Sequence, residues 1–151
     1  MMPLTAPDLE NLTLLVEQDI HVDAPLDVTF TALLEQLGPS NERPDGVAMP
    51  MKLEPWPGGR WFRDLGNNSG HLWAHVQSIK QPTLLEFVGP LFMSQPVANN
   101  VQYRLSEDGA GTLIKLRHSA FGLVHDELRK GVGQGWAYVN QQARLRAEKS
   151  R

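Results

Sequence analysis

The residues in this chain that could do chemistry are, first, its five histidines. His71 and His75 are four residues apart, the spacing that forms a zinc pair on a helix. Both, however, lie in an alternating segment typical of a β-strand, where residues four apart are separated by about 13 Å. Side chains at that distance cannot share one ion. We therefore expect no metal site, and nothing in the chain indicates a cofactor.

His118 is the histidine whose position suggests a role, because it alternates onto the same face as Ile114 and Leu116. Two interpretations remain open. His118 is either a core histidine hydrogen-bonded to a neighbour, or a polar contact or general base that faces a ligand. Tyr103 shares a face with Val101 and could present its hydroxyl to the same interior. The sequence leaves open whether its partner is protein or ligand.

Three glycines, Gly131, Gly133 and Gly135, lie inside a long amphipathic segment, residues 125–148. Each costs about 1 kcal/mol relative to alanine in a helix interior. They match neither a dinucleotide-binding fingerprint nor a phosphate loop, and they do not lie between a strand and a helix. Gly131 and Gly135 instead flank the apolar stripe of the helix, so their missing side chains would leave a notch for a ligand. That stripe comprises Leu128, Val132, Trp136, Val139 and Ala143.

No nucleophile with an activating partner can be recognised. The chain has no cysteine and no Ser/His/Asp arrangement, and Glu54 and Glu86, the acids nearest the presumed pocket, have no visible partner. We therefore assign no catalytic residue and favour a protein that is not an enzyme.

Composition indicates one globular domain over residues 1–151, with residues 1–10 as a loose N-terminal lead-in. The net charge of −3 and the absence of a basic stripe argue against nucleic acid as a partner. The absence of cysteine excludes disulfides and thiolate metal sites. No signal-peptide pattern and no apolar run of about 20 residues occurs, so we expect a cytoplasmic protein without membrane insertion.

The hydrophobic pattern alternates helices with short strands. Helices are predicted over residues 25–37 and 125–148, and strands over 12–22, 49–54, 60–64, 70–79, 84–88, 101–105 and 112–121. The short turns between the later strands require antiparallel pairing. Only the last helix is long enough to cover the apolar face of such a sheet. We predict an α+β fold in which a curved antiparallel sheet of six or seven strands wraps around the C-terminal helix.

Aromatic residues cluster around the middle strands. Only one of Trp61 and Phe62 can face inward, since neighbouring residues on a strand point in opposite directions. Two interpretations stay open: at least one of Trp61 and Trp73 is exposed at a dimer contact or an entrance rim, or these aromatic residues pack on the curved sheet. The apolar loop over residues 89–96 is expected to cap the cavity mouth or to meet a partner.

Several short segments resemble the START-like or SRPBCC superfamily, whose members include the birch pollen allergen. They are Ile-His-Val-Asp-Ala-Pro at 20–25, Pro-Gly-Gly-Arg-Trp at 57–61, residues 70–82, Gly-Thr-Leu at 111–113 and Gly-Trp at 135–136. Their order is most similar to the branch of homologues of the heat-shock-protein-90 ATPase activator. The resemblance covers residues 12–147.

The resemblance implies a helix-grip fold with an apolar cavity between the sheet and the last helix. It favours binding of a small hydrophobic or lipid-like molecule by a monomer or homodimer. The alternatives are a polyketide cyclase or aromatase that uses His118, Tyr103 and Arg104, and a stress-related co-chaperone module. The expected ligand-binding residues are Phe62, Phe87, Leu91, Phe92, Met93, Val101, Tyr103, Leu116, His118, Gly131, Gly135, Trp136 and Val139.

Overall fold

The computed structural model describes residue 3 and residues 5–151, with the backbone alone at residues 7 and 8. The elements in chain order are α1 (Ala6–Asn11), β1 (Thr13–Val22), α2 (Leu26–Leu37), β2 (Lys52–Leu53), β3 (Arg60–Gly66), β4 (Ser69–Lys80), β5 (Leu84–Gly89), β6 (Val97–Asp108), β7 (Gly111–Gly122) and α3 (Asp126–Ser150). Helix α1 replaces part of the expected loose lead-in, of which residues 1, 2 and 4 lie outside the described residues.

The seven strands form one antiparallel sheet in the order β1-β7-β6-β5-β4-β3-β2. Each strand from β2 to β7 pairs with its neighbour in the chain, and β1 closes the order by pairing with β7 along its whole length. This arrangement confirms the predicted α+β helix-grip fold, with the long helix α3 held against the concave face of a curved sheet.

The two main helices begin and end close to the predicted residues. Pro25 is the N-terminal cap of α2, and Gly38 ends the helix by donating its backbone N–H to the Leu34 carbonyl at 3.0 Å. Helix α3 has an apolar inner face, as its periodicity requires. The buried residues of α3 are Val132, Trp136, Asn140, Ala143 and Ala147.

The two edges of the sheet differ in length and in cover. The β2 edge has only two residues, rather than the predicted strand over 49–54, because Pro50 and Pro55 flank it and cannot donate to a ladder. The β1 edge is longer. Arg129 of α3 shields its start by donating to the carbonyls of Thr13 at 2.5 Å and Asn11 at 3.1 Å.

Strand β6 begins at Val97, four residues before the predicted start. The reason is Asn99, which occupies an inward position and is buried. A polar residue at that position interrupts the alternation from which a strand is recognised.

Strand β4 carries a β-bulge at Trp73. Trp61 pairs with Ala74 and Phe62 pairs with Leu72, so Trp73 is an extra residue on its strand. The bulge turns Trp73 toward the concave side and leaves Leu72 43% exposed. In the sequence, Leu72 alternates with Ala74 and Val76, which predicts the same face for all three; the bulge puts Leu72 on the other face. Gly89 on β5 permits the close approach, since a Cβ there would lie 2.6 Å from the Ala74 Cα.

Candidate functional site

A pocket of about 340 Å³ lies between the N-terminal half of α3, strands β3 and β4, and the segment that follows α2. Its volume falls in the range of small-molecule sites. The lining residues are Leu37, Asn41, Glu42, Arg43, Pro44, Met49, Trp61, Trp73, Phe92, Glu127, Leu128, Gly131, Val132, Gly135, Trp136 and Val139.

One wall of the pocket is aromatic. Trp61 and Trp73 meet edge to face with ring centroids 5.1 Å apart, and Trp73 and Phe92 do the same at 5.6 Å. Behind them, Phe87 stacks on Trp61 at 4.5 Å. The Trp61 indole N–H also donates to the Leu37 carbonyl at 2.8 Å. Ring packing and this bond hold the wall in one orientation.

The opposite wall is the glycine-bearing part of α3. Gly131 and Gly135 line the pocket. A Cβ built on either would meet no atom within 4 Å, apart from the helix's own nearby backbone, and the same is true of Gly133, which does not line the pocket. Close packing therefore requires none of the three glycines. Gly131 is exposed and Gly135 is half-buried, so the space at the two lining positions belongs to the pocket and to its opening toward solvent.

The mouth of the pocket is formed by three charged residues and a proline. Arg43, Pro44 and Glu127 are exposed, and Glu42 is half-buried. The hydroxyl of Tyr138 on α3 donates to a Glu42 carboxylate oxygen at 2.6 Å, which joins the helix to the segment after α2. This hydrogen bond raises the pKa of Tyr138 above its ordinary value.

His118 lies outside the pocket, and the protein uses both of its ring nitrogens. The Trp136 indole N–H donates to Nδ1 at 3.0 Å. Nε2 therefore carries the proton and donates to Asn99 Oδ1 at 2.7 Å. Burial lowers the pKa of His118 to about 4, so the ring is neutral at pH 7. Of the two interpretations, this geometry favours the core histidine.

Tyr103 belongs to a second buried network, which connects the sheet to α3. Its hydroxyl donates to Asn140 Oδ1 at 2.7 Å, and Asn140 Nδ2 donates to Gln18 Oε1 at 3.1 Å. Gln18 Nε2 in turn donates to the Gly133 carbonyl at 2.7 Å. Burial raises the pKa of Tyr103, so its hydroxyl stays protonated. The partner of this phenol is protein.

The structure brings five of the predicted site residues to the pocket and seven to the core beyond it. Those lining the pocket are Phe92, Gly131, Gly135, Trp136 and Val139. Those buried outside it are Phe87, Leu91, Met93, Val101, Tyr103, Leu116 and His118. Five of the seven lie on strands and face inward as their alternation predicts. Leu91 and Met93 lie in the loop at 89–96, where they are buried and do not line the pocket, so of the three apolar residues expected at the cavity mouth only Phe92 reaches it.

Phe62 is on the wrong face of the sheet for a ligand contact, and this prediction was wrong. Trp61 takes the inward position and is only 1% exposed, so it cannot form an exposed dimer contact. The Phe62 ring lies on the outer face, where the Arg60 guanidinium carbon is 4.5 Å from its centroid. Arg104 is also exposed, and its Nε donates to Gln102 Oε1.

Sequence reasoning missed two parts of the pocket. Trp73 alternates in the sequence with His71 and His75, which predicts the face opposite the apolar one, and a bulge leaves no mark on such a pattern. Residues 38–48 are rich in Gly, Pro, Asn and Asp and indicate a loop, with or without a helical turn, although Asn41 is buried there. Met49 belongs to the predicted strand over 49–54 but is half-buried in the segment that precedes β2. A Met and an Asn among exposed turn residues give no periodic signal. Leu128 and Val132 could have been found, since both lie on the predicted apolar stripe.

Neither a metal cluster nor a membrane span is found in the part of the chain that the structure describes. Among residue 3 and residues 5–151, no three His, Asp or Glu side chains are grouped so that they could hold a metal ion. None of the helices described is both long enough and apolar enough to cross a membrane.

Comparison with known proteins identifies relatives by structure alone. No family model matches the sequence, and no curated protein matches it significantly. An uncharacterized protein from Rhizobium leguminosarum is similar with a TM-score of 0.69 and 17% identity, over 91% of this chain and 95% of that one. Ara h 8.0201 is similar with a TM-score of 0.64 and 12% identity, over 91% and 99% of the two chains.

A third similar structure is the di-domain ARO/CYC protein StfQ from the steffimycin biosynthetic pathway. It has a TM-score of 0.66 and 12% identity, and the alignment covers 95% of this chain and 53% of StfQ. All three identities are low, so these likenesses show a shared fold. That fold is the helix-grip fold.

Proposed function

We propose that this chain binds one small hydrophobic or amphipathic molecule in the pocket beside Gly131 and Gly135. The observation that carries the proposal is the open space at these two glycines. A glycine in a helix interior costs about 1 kcal/mol relative to alanine, and packing does not require it at either position. A ligand that approaches the helix backbone closely would explain why both positions are glycine.

The chemistry of the walls supports an apolar ligand. Trp61, Trp73 and Phe92 on one side face an apolar helix surface on the other, and charged side chains occur only at the mouth. Transfer of apolar surface from water into such a site is favourable by about 25 cal/mol per Å². The fold shared with Ara h 8.0201 and StfQ names no ligand for this chain.

The cyclase-like alternative ranks below binding. It needs polar groups that converge on the ligand, whereas His118 and Tyr103 lie outside the pocket and their hydrogen bonds are made to protein partners. Arg104 is exposed and does not line the pocket. The co-chaperone alternative stays a prediction from the sequence resemblance, as do a cytoplasmic location and a monomeric or homodimeric state.

A neutral fluorescent probe, N-phenyl-1-naphthylamine, tests the proposal. We expect saturable uptake by the wild-type chain and at least about tenfold weaker uptake by Gly135→Leu, whose side chain would fill the space beside the helix. The matched control is Gln134→Leu, a neighbouring exposed position that does not line the pocket. Uptake by this control should equal that of the wild type.

Urea unfolding of the same variants separates binding from folding. Because leucine has a better helix propensity than glycine, Gly135→Leu should leave the unfolding free energy within about 1 kcal/mol of the wild-type value. Unchanged uptake with lost stability would mean that Gly135 serves packing, and the proposal would fail. If uptake and stability behave as expected, native mass spectrometry of protein purified from its own host would identify a retained molecule directly.

A further inference from the structure

The pocket contains one buried polar side chain, that of Asn41. The residue is 4% exposed and lines the pocket. Its backbone is fully used, because the N–H donates to the Gly38 carbonyl at 3.1 Å and the carbonyl accepts from the Met49 N–H at 2.9 Å. The side chain is therefore held in place by the turn that follows α2.

The amide of Asn41 has a defined orientation. Its Nδ2 donates to the Met49 carbonyl at 3.1 Å, and a flipped amide would place two acceptor oxygens against each other. Oδ1 accepts no hydrogen bond from any other residue that the structure describes. Among the described residues, the one fully enclosed polar side-chain atom without a partner is Gln95 Oε1, so Asn41 Oδ1 is not enclosed and stays accessible to water or to a ligand. The pocket thus offers one unpaired acceptor among apolar and aromatic groups.

The charges at the mouth do not favour an anion. Arg43 is paired with the Asp45 carboxylate at 2.5 Å. Glu42 accepts from Tyr138, and the carboxylate of Glu127 is exposed at the same rim. A negatively charged ligand would meet more carboxylates than cations at the mouth. The one guanidinium among the lining residues, that of Arg43, is already paired with Asp45.

We infer that the ligand is an apolar, ring-containing molecule that carries a hydroxyl or N–H donor and no negative charge, and that Asn41 Oδ1 accepts its hydrogen bond. The inference rests on the proposed function and adds to it the class of ligand and a specificity-determining residue. The aromatic wall supplies the preference for rings, since edge-to-face and offset arrangements suit flat partners.

Three probes with one ring system separate these features: 2-naphthol, 2-methoxynaphthalene and 2-naphthoate, titrated calorimetrically at pH 7. Naphthol has the donor, methoxynaphthalene lacks it, and naphthoate carries a negative charge. We expect naphthol to bind about fivefold or more tightly than methoxynaphthalene, as one hydrogen bond of about 1 kcal/mol requires. Naphthoate should bind at least about tenfold more weakly than naphthol.

The variant Asn41→Leu tests the residue itself. The ratio of naphthol to methoxynaphthalene affinity should fall to about one, whereas in Gln134→Leu it should keep the wild-type value. The ratio is measured within one protein, so a general loosening of the turn after loss of the Met49 bond cancels. If Asn41→Leu does not fold, the wild-type ratio and the naphthoate result still decide the inference.

The outcomes distinguish the inference from the proposed function. A wild-type ratio near one, an unchanged ratio in Asn41→Leu, or tightest binding of naphthoate would overturn the inference while uptake of N-phenyl-1-naphthylamine sustains the proposed function. Uptake of that probe without binding of any of the three naphthalenes would also overturn the inference alone. Failure of all four probes would overturn both.

Discussion

The interface between α3 and the sheet has two halves, which differ in how completely side chains fill the interior and in whether the polar atoms have partners. In the half around Tyr103 and Asn140, side chains fill the interior and the buried polar atoms bond one another. In the half around Gly131 and Gly135, the interior is open and one acceptor, on Asn41, has no partner among the described residues. The same helix and sheet build both halves.

Trp136 is the boundary between the halves. Its ring lines the pocket, while its indole N–H donates into the closed half at His118 Nδ1. The comparison teaches that burial alone does not mark a site. What distinguishes the open half is unfilled space and an accessible acceptor that no protein group uses, whereas the closed half has the features of a satisfied core.

Protonation of His118 should destabilise the closed half of the interface, and the resulting loss of folding stability is the largest effect that we predict. The pKa of His118 is about 4 in the folded chain against an ordinary value of 6.5, so the unfolded chain binds more protons between these pH values. Stability is therefore complete above pH 6.5 and is lost as the pH falls toward 4. A difference of this size corresponds to about 3 kcal/mol.

Urea unfolding measured from pH 7 to pH 4.5 checks this prediction, with His118→Gln as the variant that should flatten the slope. Glu54, whose hydrogen bond with the Arg60 side chain lowers its pKa to about 2, starts to lose its contribution only as the pH approaches its ordinary value of 4.5. It does so equally in the wild type and in His118→Gln, so the difference between the two slopes reports His118. Equal slopes in the wild type and in His118→Gln would show that His118 is not the group that titrates.

Tyr103→Phe sharpens the comparison by leaving Asn140 Oδ1 without its donor. We expect a loss of about 1–3 kcal/mol in the unfolding free energy, the cost of an unpaired buried acceptor. Uptake of N-phenyl-1-naphthylamine should be unchanged, since Tyr103 does not line the pocket. Uptake that fell with stability unaltered would place the phenol in the ligand site and reverse our assignment.

Alanine at glycine positions should produce the smallest effects, with opposite signs. Gly131→Ala should raise the unfolding free energy by up to about 1 kcal/mol, because its Cβ meets no atom and alanine favours the helix. Gly111→Ala is the control at a filled position, where a Cβ would lie 2.4 Å from the Val22 carbonyl oxygen. It should destabilise the chain in the same thermal or urea measurement. Destabilisation by Gly131→Ala would mean that the open half is packed after all.

The fold could be predicted because it depends on periodicity and turns, which are local. The helix over 125–148 and the strand over 12–22 were found nearly to the residue. The pocket residues that the sequence indicated lie on the periodic helix α3, as Gly131 and Gly135 do, or in the apolar loop at 89–96, as Phe92 does. Trp73 and Asn41 could not be placed, because a bulge and a non-repeating turn depend on pairing with distant residues.

The bulge at Trp73 also makes the composition of the pocket depend on the number of residues in β4. Because side chains alternate along a strand, deletion of one residue at the bulge would restore regular pairing and exchange which side chains face the concave side. Descendants of this chain could therefore change their aromatic wall by a one-residue insertion or deletion, without substituting any tryptophan. An alignment of relatives by residue type alone would not show such a change, whereas a comparison of their strand registers would.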